Sequence, residues 1–137
     1  MYKSVRHGMR VRYNECDPLG IVFNANYLVY ADIAITELWR EHLGGYEQMT
    51  EDGLDLAVVE ANLRYFKPLK FDDEFETEAK VEHIGRTSMS ISFTVVMDTT
   101  EMASGSLAYV CVKTGVEGSH PIPDAVRAGL TASAPGP

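Results

Sequence analysis

The sequence is poor in cysteine and in basic residues, and it contains no long uninterrupted apolar run. Its two cysteines, Cys16 and Cys111, have neither the number nor the spacing of a disulfide framework or a metal knuckle, so two reduced thiols are expected. Twelve Lys and Arg face 20 Asp and Glu, a net charge of −8. That sign excludes a general nucleic-acid binder, which needs clustered cations against phosphates, while leaving room for a local basic pocket. The four histidines, His7, His42, His83 and His120, are scattered. No pair has metal-ligand spacing, so no metal and no cofactor is expected. No apolar stretch approaches the roughly 20 residues of a membrane span. Met1 to His7 lacks the apolar core of a signal peptide, and a cytoplasmic protein is expected.

What is present fits one compact domain. A chain of 137 residues buries roughly 65–70% of its unfolded surface and needs no staple. Val5, His7, Met9, Val11 and Tyr13 alternate with polar residues and Gly8, which predicts a strand. Pro18 and Gly20 end it in a loop, 15–20. Asn24 to Leu43 holds no Pro and no Gly, and Gly44-Gly45 supplies a stop, which predicts a long helix. Its stretch Tyr27–Thr36 is apolar almost all the way round, as in a helix buried on every side.

Four more strands follow: 54–66, then the alternating runs 74–82, 88–95 and 106–111. The links at 83–86 and 98–101 are short, so neighbours are antiparallel. A single helix among five strands is best covered by a curved sheet wrapped around it, an α+β arrangement. Apolar residues on both faces of 54–66 and 108–112 predict burial against another subunit. Residues 121–130 read as a short helix with Pro123 near its first turn. The domain is expected over 1–130, with 131–137 a frayed tail.

The chemistry lies in the loop before the long helix. Val11-Arg12-Tyr13-Asn14-Glu15-Cys16-Asp17-Pro18-Leu19-Gly20-Ile21-Val22-Phe23-Asn24-Ala25-Asn26-Tyr27-Leu28 resembles the active-site signature of the hotdog-fold thioesterases. It is most similar to the 4-hydroxybenzoyl-CoA thioesterase group and related bacterial acyl-CoA thioesterases. Arg64-Tyr65-Phe66-Lys67-Pro68-Leu69-Lys70-Phe71-Asp72-Asp73 resembles the same family's aromatic, proline and double-aspartate pattern.

The resemblance implies a hotdog fold, a five-stranded antiparallel sheet around one central helix, built as a dimer or a tetramer of dimers with sites at the dimer interface. It implies an acyl-CoA or related acyl thioester as substrate. The catalytic aspartate falls on Asp17, and the backbone N–H that polarises the carbonyl falls on Asn24. Gly20, Ile21, Val22, Phe23 and Tyr27 become the substrate-binding segment. Where the bacterial relatives often carry His and the 4-hydroxybenzoyl group an aromatic, this chain has Asn24, which orients by hydrogen bonds but shuttles no proton.

Thioester hydrolysis needs an activated water or an attacking carboxylate, and a stabilised carbonyl oxygen. A carboxylate serves as base or as nucleophile, and a helix N-terminus offers free N–H groups to an oxyanion. Gly20 would let the backbone approach a ligand. Each residue also has a plain structural reading. Asp-Pro is a common turn pair, and Asn is a favoured helix cap. Cys16 invites a thiol mechanism but has no histidine beside it in sequence. Glu60 and Asn62 share a strand face, with Asn62 the candidate pocket residue and Glu60 a solvated one. Arg64, Lys67, Lys70 and Arg86 are the basic residues expected near the mouth, with Arg86 assigned to the CoA phosphates. Release from an acyl carrier protein and non-catalytic acyl-CoA binding are the competing functions. A dehydratase lacks its usual histidine at Asn24.

Overall fold

Alternation in the sequence becomes a sheet whose inner face is apolar and whose outer face is largely polar, with glutamates and Lys80 on one strand and serines and Thr94 on the next. The computed structural model describes residues 1–132. The elements are β1 (Ser4–Arg10), α1 (Asn26–Leu43), α2 (Glu47–Thr50), β2 (Leu54–Tyr65), β3 (Glu74–Ile84), β4 (Ser88–Met97), β5 (Thr100–Lys113), β6 (Val116–Ser119) and α3 (Asp124–Leu130). The strands run in the order β1-β3-β4-β5-β2, with β6 added to β5. All pairings are antiparallel.

Met89, Ile91, Phe93 and Val95 of β4 stack beside Phe75, Ala79 and Val81 of β3 and beside Ala103, Leu107 and Tyr109 of β5. Helix α1 lays Tyr30, Ala31, Ala34 and Leu38 on this face. Phe93 lies directly across from Gly105. A Cβ at position 105 would run into the Asn62 carbonyl and sit 2.8 Å from Phe93 Cζ. Here glycine is required by close packing.

The wrapped helix is as expected, with four differences. The described residues hold six strands, because Val116–Ser119 turns back on β5. β1 stops at Arg10, and Tyr13–Glu15 forms a 3-10 turn instead of continuing the strand. Helix α1 is not covered on every side. Val29 is 48% exposed, and Asp32, Thr36 and Arg40 continue the same open lane at helical spacing. Finally, Thr131 pairs with Tyr2, and the Ala132 N–H donates to the Met1 carbonyl, so the expected frayed tail begins with two paired residues. Its remainder, 133–137, lies outside the described residues. Gly44 ends α1 in the left-handed conformation with φ 73° and donates to the Arg40 carbonyl, as Gly44-Gly45 predicts.

Candidate active site

After β1 the chain is pinned to the 72–73 turn. The Val11 N–H donates to the Asp73 carbonyl at 2.9 Å, and the Asp72 N–H donates to the Val11 carbonyl. The 3-10 turn then delivers residues 16–22 as a tight hairpin. Asp17 N–H donates to Ile21 O at 2.8 Å, and Gly20 N–H donates to Asp17 O at 2.9 Å. Pro18 follows Asp17, and Gly20 has φ +80°, so the turn takes its positive-φ position from glycine. Open space surrounds Gly20. The positive φ accounts for glycine here, and the open space leaves room for the ligand approach expected from the sequence.

The Asp17 carboxylate has two engagements. Oδ1 accepts the Leu19 N–H at 2.9 Å, an Asx turn. Its other oxygen, Oδ2, has no hydrogen-bond donor among the described residues, and the side chain lines a cleft of about 320 Å3. Ile21, Val22, Asn24 and Tyr27 line the same cleft. Five of the nine residues predicted from sequence thus come together.

Helix α1 begins beyond Asn24, with Ala25 as its cap. The Asn24 side chain makes no capping bond, which corrects the N-cap reading. The carbonyls before and after Asn24 are both held. Phe23 O accepts the Asn26 N–H at 2.9 Å, and Asn24 O accepts the Tyr65 hydroxyl at 3.0 Å. Each carbonyl shares a rigid peptide plane with the next N–H. The Asn24 and Ala25 N–H groups are thereby fixed in direction, and neither has an acceptor among the described residues.

Tyr65, Phe66, Lys67 and Pro68 form the opposite wall. Of these only Lys67 was anticipated at the mouth, although all four lie in the second signature segment. The Phe66 and Lys67 N–H groups both donate to Met102 O. Tyr65 stacks edge-on against Tyr27 with centroids 5.3 Å apart. The Tyr27 hydroxyl accepts the Leu69 N–H at 3.2 Å, and burial raises its pKa.

The other candidates lie elsewhere. Phe23 is half-exposed and outside the cleft. Asn62 pairs with Ser106 and donates Nδ2 to its Oγ at 2.6 Å, on the outer face of the sheet. A bulge between Val58 and Glu60 reverses strand parity and turns Asn62 away from the helix. Arg86 lies in the β3–β4 turn, at the Leu54 end of the sheet, and its carbonyl accepts the Ile122 N–H. The cleft is at the Tyr65 end, so within one chain Arg86 does not reach it.

Cys16 lines a neighbouring hollow with Tyr13, Pro18, Gly20 and Phe71, which Asp17 also borders. Burial, followed by the negative charges of Asp17, Glu15 and Asp73, pushes its thiol pKa up, which disfavours the reactive thiolate. No cluster of metal-ligating side chains occurs among the described residues, and no helix among them is long and apolar enough to cross a membrane. A second cavity of about 440 Å3 lies under the open lane of α1, floored by Trp39, Ile91 and Tyr109, with Asp32, Thr36, Tyr46 and Asp55 at its walls. Sequence patterning gave no sign of it.

Comparison with known proteins agrees with this fold. The family described as "Thioesterase superfamily" matches residues 19–103. The acyl-CoA thioester hydrolase YbgC of Escherichia coli O6:H1 is 25% identical over 108 residues, 78% of this chain and 81% of its own length. The crystal structure of a hypothetical protein from Aquifex aeolicus superposes with a TM-score of 0.87 at 30% identity, covering 93% of this chain and 99% of that one. A 1,4-dihydroxy-2-naphthoyl-CoA thioesterase from Synechocystis shares the fold at 15% identity, with a TM-score of 0.83 over 93% of this chain and 95% of its own. The chain belongs to the hotdog-fold thioesterase superfamily and is a thioester hydrolase of that family.

Proposed function

We propose that the protein is a cytoplasmic acyl-CoA thioesterase that works at the Asp17 cleft. Asp17 Oδ2 acts as general base on a water, or attacks the carbonyl carbon itself to give a mixed anhydride that water then opens. The carbonyl oxygen, as it gains charge, lies against the Asn24 and Ala25 N–H groups at the positive end of α1. The C–S bond breaks, the CoA thiolate leaves, and the acyl group departs as carboxylic acid. A CoA thiolate is a good leaving group, so no second acid is needed, in keeping with Asn24. The single observation that carries this reading is the shared cleft. Asp17, with a carboxylate oxygen that has no donor among the described residues, and Asn24, whose oriented N–H has no acceptor among them, line it together, and the Ala25 N–H follows directly after.

The working unit in this reading is a homo-oligomer, a dimer or a tetramer of dimers. β2 is an edge strand with Val58 and Val59 exposed, the kind of edge that proteins cover. A two-fold antiparallel pairing of β2 with its copy would set the Tyr65 end of one chain beside the Leu54 end of the other. That brings a second chain's Arg86 turn and larger cavity toward this cleft, which restores Arg86 as a CoA-phosphate contact.

The test is thiol release from short, medium, long and aromatic acyl-CoAs and from one acyl carrier protein thioester, using wild type, Asp17→Asn and Cys16→Ala. Loss of about 10²–10⁴-fold in turnover is expected for Asp17→Asn, with little change for Cys16→Ala. An Asp17→Asn enzyme that keeps about a tenth of its activity or more would refute the assignment. A strong preference for the carrier-protein substrate would move the function to acyl-carrier-protein thioester release.

A further inference from the structure

Glu15 stands two residues before Asp17 and lines no part of the cleft, yet it is the point at which the Asp17 hairpin is tied to helix α1. Its Oε1 accepts the Arg12 N–H at 2.7 Å and the Tyr30 hydroxyl at 3.0 Å. Its backbone carbonyl accepts the Phe23 N–H at 2.9 Å and the Asn26 Nδ2 at 2.8 Å. Two of these donors are α1 side chains, and a third is the residue whose carbonyl fixes the Asn24 N–H. The two halves of the proposed site, the carboxylate loop and the helix N-terminus, therefore meet at one residue that lines no part of the cleft.

The Tyr30 end of this link is rigid. Tyr30 is 1% exposed, and its ring is packed by Phe75 at 4.7 Å and Tyr27 at 5.9 Å between centroids. Burial and the bond to Glu15 push its phenol far above its ordinary range, so the hydroxyl stays protonated and donates. A phenol O–H on a carboxylate is a charge-assisted bond, and its loss would strand a hydroxyl in the core.

We infer that Glu15 is a positioning residue for the proposed hydrolysis: through its carboxylate it clamps the hairpin to Tyr30 and so sets the distance between the Asp17 carboxylate and the Asn24 and Ala25 N–H groups. The inference rests on the reading of Asp17 given above. A misplacement of about 1 Å in such a site costs on the order of 10²-fold in rate.

The test compares Glu15→Ala, Glu15→Gln, Tyr30→Phe and the double variant Glu15→Ala/Tyr30→Phe on the best acyl-CoA, with turnover normalised to folded protein by circular dichroism. Glutamine keeps an oxygen that accepts from both Arg12 and Tyr30. Glu15→Gln is therefore expected to hold kcat within about threefold, while Glu15→Ala loses on the order of 10²-fold. The loss should fall on kcat with KM little changed, because the binding walls are untouched. Tyr30→Phe should lose about tenfold, and the double variant no more than Glu15→Ala, because both substitutions cut one link. The pH dependence of kcat in Glu15→Ala should keep the wild-type acid limb, since the reacting carboxylate is still present.

A normal kcat per folded molecule in Glu15→Ala would overturn the inference and leave Glu15 a stability residue. Glu15→Gln as inactive as Glu15→Ala, with the acid limb gone, would overturn it in favour of direct chemistry. If Glu15→Ala does not fold, Tyr30→Phe decides alone, and an unchanged kcat there overturns the clamp. Asp17→Asn run in parallel separates the two readings. An active Asp17→Asn sinks the proposed function, whereas an inactive Asp17→Asn beside a normal Glu15→Ala sinks only the positioning role.

Discussion

Gly20 separates two reasons for a glycine in a ligand-binding loop. Its φ of +80° lies where a Cβ is strained, but no atom lies within 4 Å of where that Cβ would sit. Conformation, not space, should control the effect of substitution. Alanine in the left-handed region costs about 1–2 kcal/mol, and asparagine, which tolerates that region, costs less. For a domain of this length about 1–2 kcal/mol corresponds to a fall in Tm of about 3–7 °C. Gly20→Asn should therefore melt above Gly20→Ala although it is larger. Activity should follow the same order, because relief of strain at position 20 breaks the Gly20 N–H to Asp17 O bond and swings the Asp17 carboxylate. The assay is calorimetry with kcat and kcat/KM on one acyl-CoA for Gly20→Ala and Gly20→Asn. If Gly20→Ala is the better of the two in both Tm and kcat, the glycine is there for space and the argument fails.

Three further outcomes are expected. Alkylation of Cys16 by iodoacetamide in the native protein should rise with pH later than for an unperturbed thiol, because its raised pKa keeps the thiolate scarce at neutral pH; a midpoint below the ordinary thiol value would contradict the carboxylate surroundings of this residue. Gly105→Ala should cost about 3 kcal/mol or more and lower Tm by about 10 °C, since a Cβ there meets both the Asn62 carbonyl and Phe93; a Tm within 2–3 °C of wild type, well inside that expected shift, would refute it. Val59→Lys should shift the mass measured by light scattering toward one chain and lower kcat/KM, because Val59 is 62% exposed on the free edge of β2; an unchanged assembled mass would take β2 out of the subunit contact.

Most of the sheet was legible because its strands alternate strictly. Phe75, Thr77, Ala79 and Val81 all point inward, as their period of two demands. The long helix was legible from its lack of Pro and Gly and from Gly44-Gly45. What escaped was what depends on register and on three-dimensional contact. Counting by twos from Leu54 carries Asn62 to the inner face, and only the bulge after Val58 reverses that. β6 was invisible because Val116–Ser119 has four residues and an internal glycine. The open lane of α1 was hidden inside an apolar run, where only Asp32 and Thr36 marked it. Tyr65 and Phe66 stood in the second signature segment, but their place opposite Asp17 depends on the β2–β5 register and on the Tyr27 and Asn24 contacts. Glu15 stands in the first signature segment, but its bond to Tyr30, about one turn into α1, depends on three-dimensional contact.

The site also shows why the structural and the chemical readings of Asp17 are not rivals. Its Oδ1 accepts the Leu19 N–H, the bond expected of an aspartate before proline in a turn. That bond holds the side-chain torsion and leaves Oδ2 without a donor among the described residues. The turn thus does for the carboxylate what the Phe23 and Asn24 carbonyls do for the N–H groups opposite. In each case a backbone hydrogen bond removes a rotation that the reaction would otherwise have to freeze. Asparagine at position 17 retains an Oδ1 for Leu19 and leaves an amide nitrogen where Oδ2 stood. The turn therefore survives, and the group proposed to take a proton or attack the carbonyl is lost. A folded, assembled and inactive Asp17→Asn is the specific consequence, and a purely structural aspartate would tolerate the same change with its activity intact.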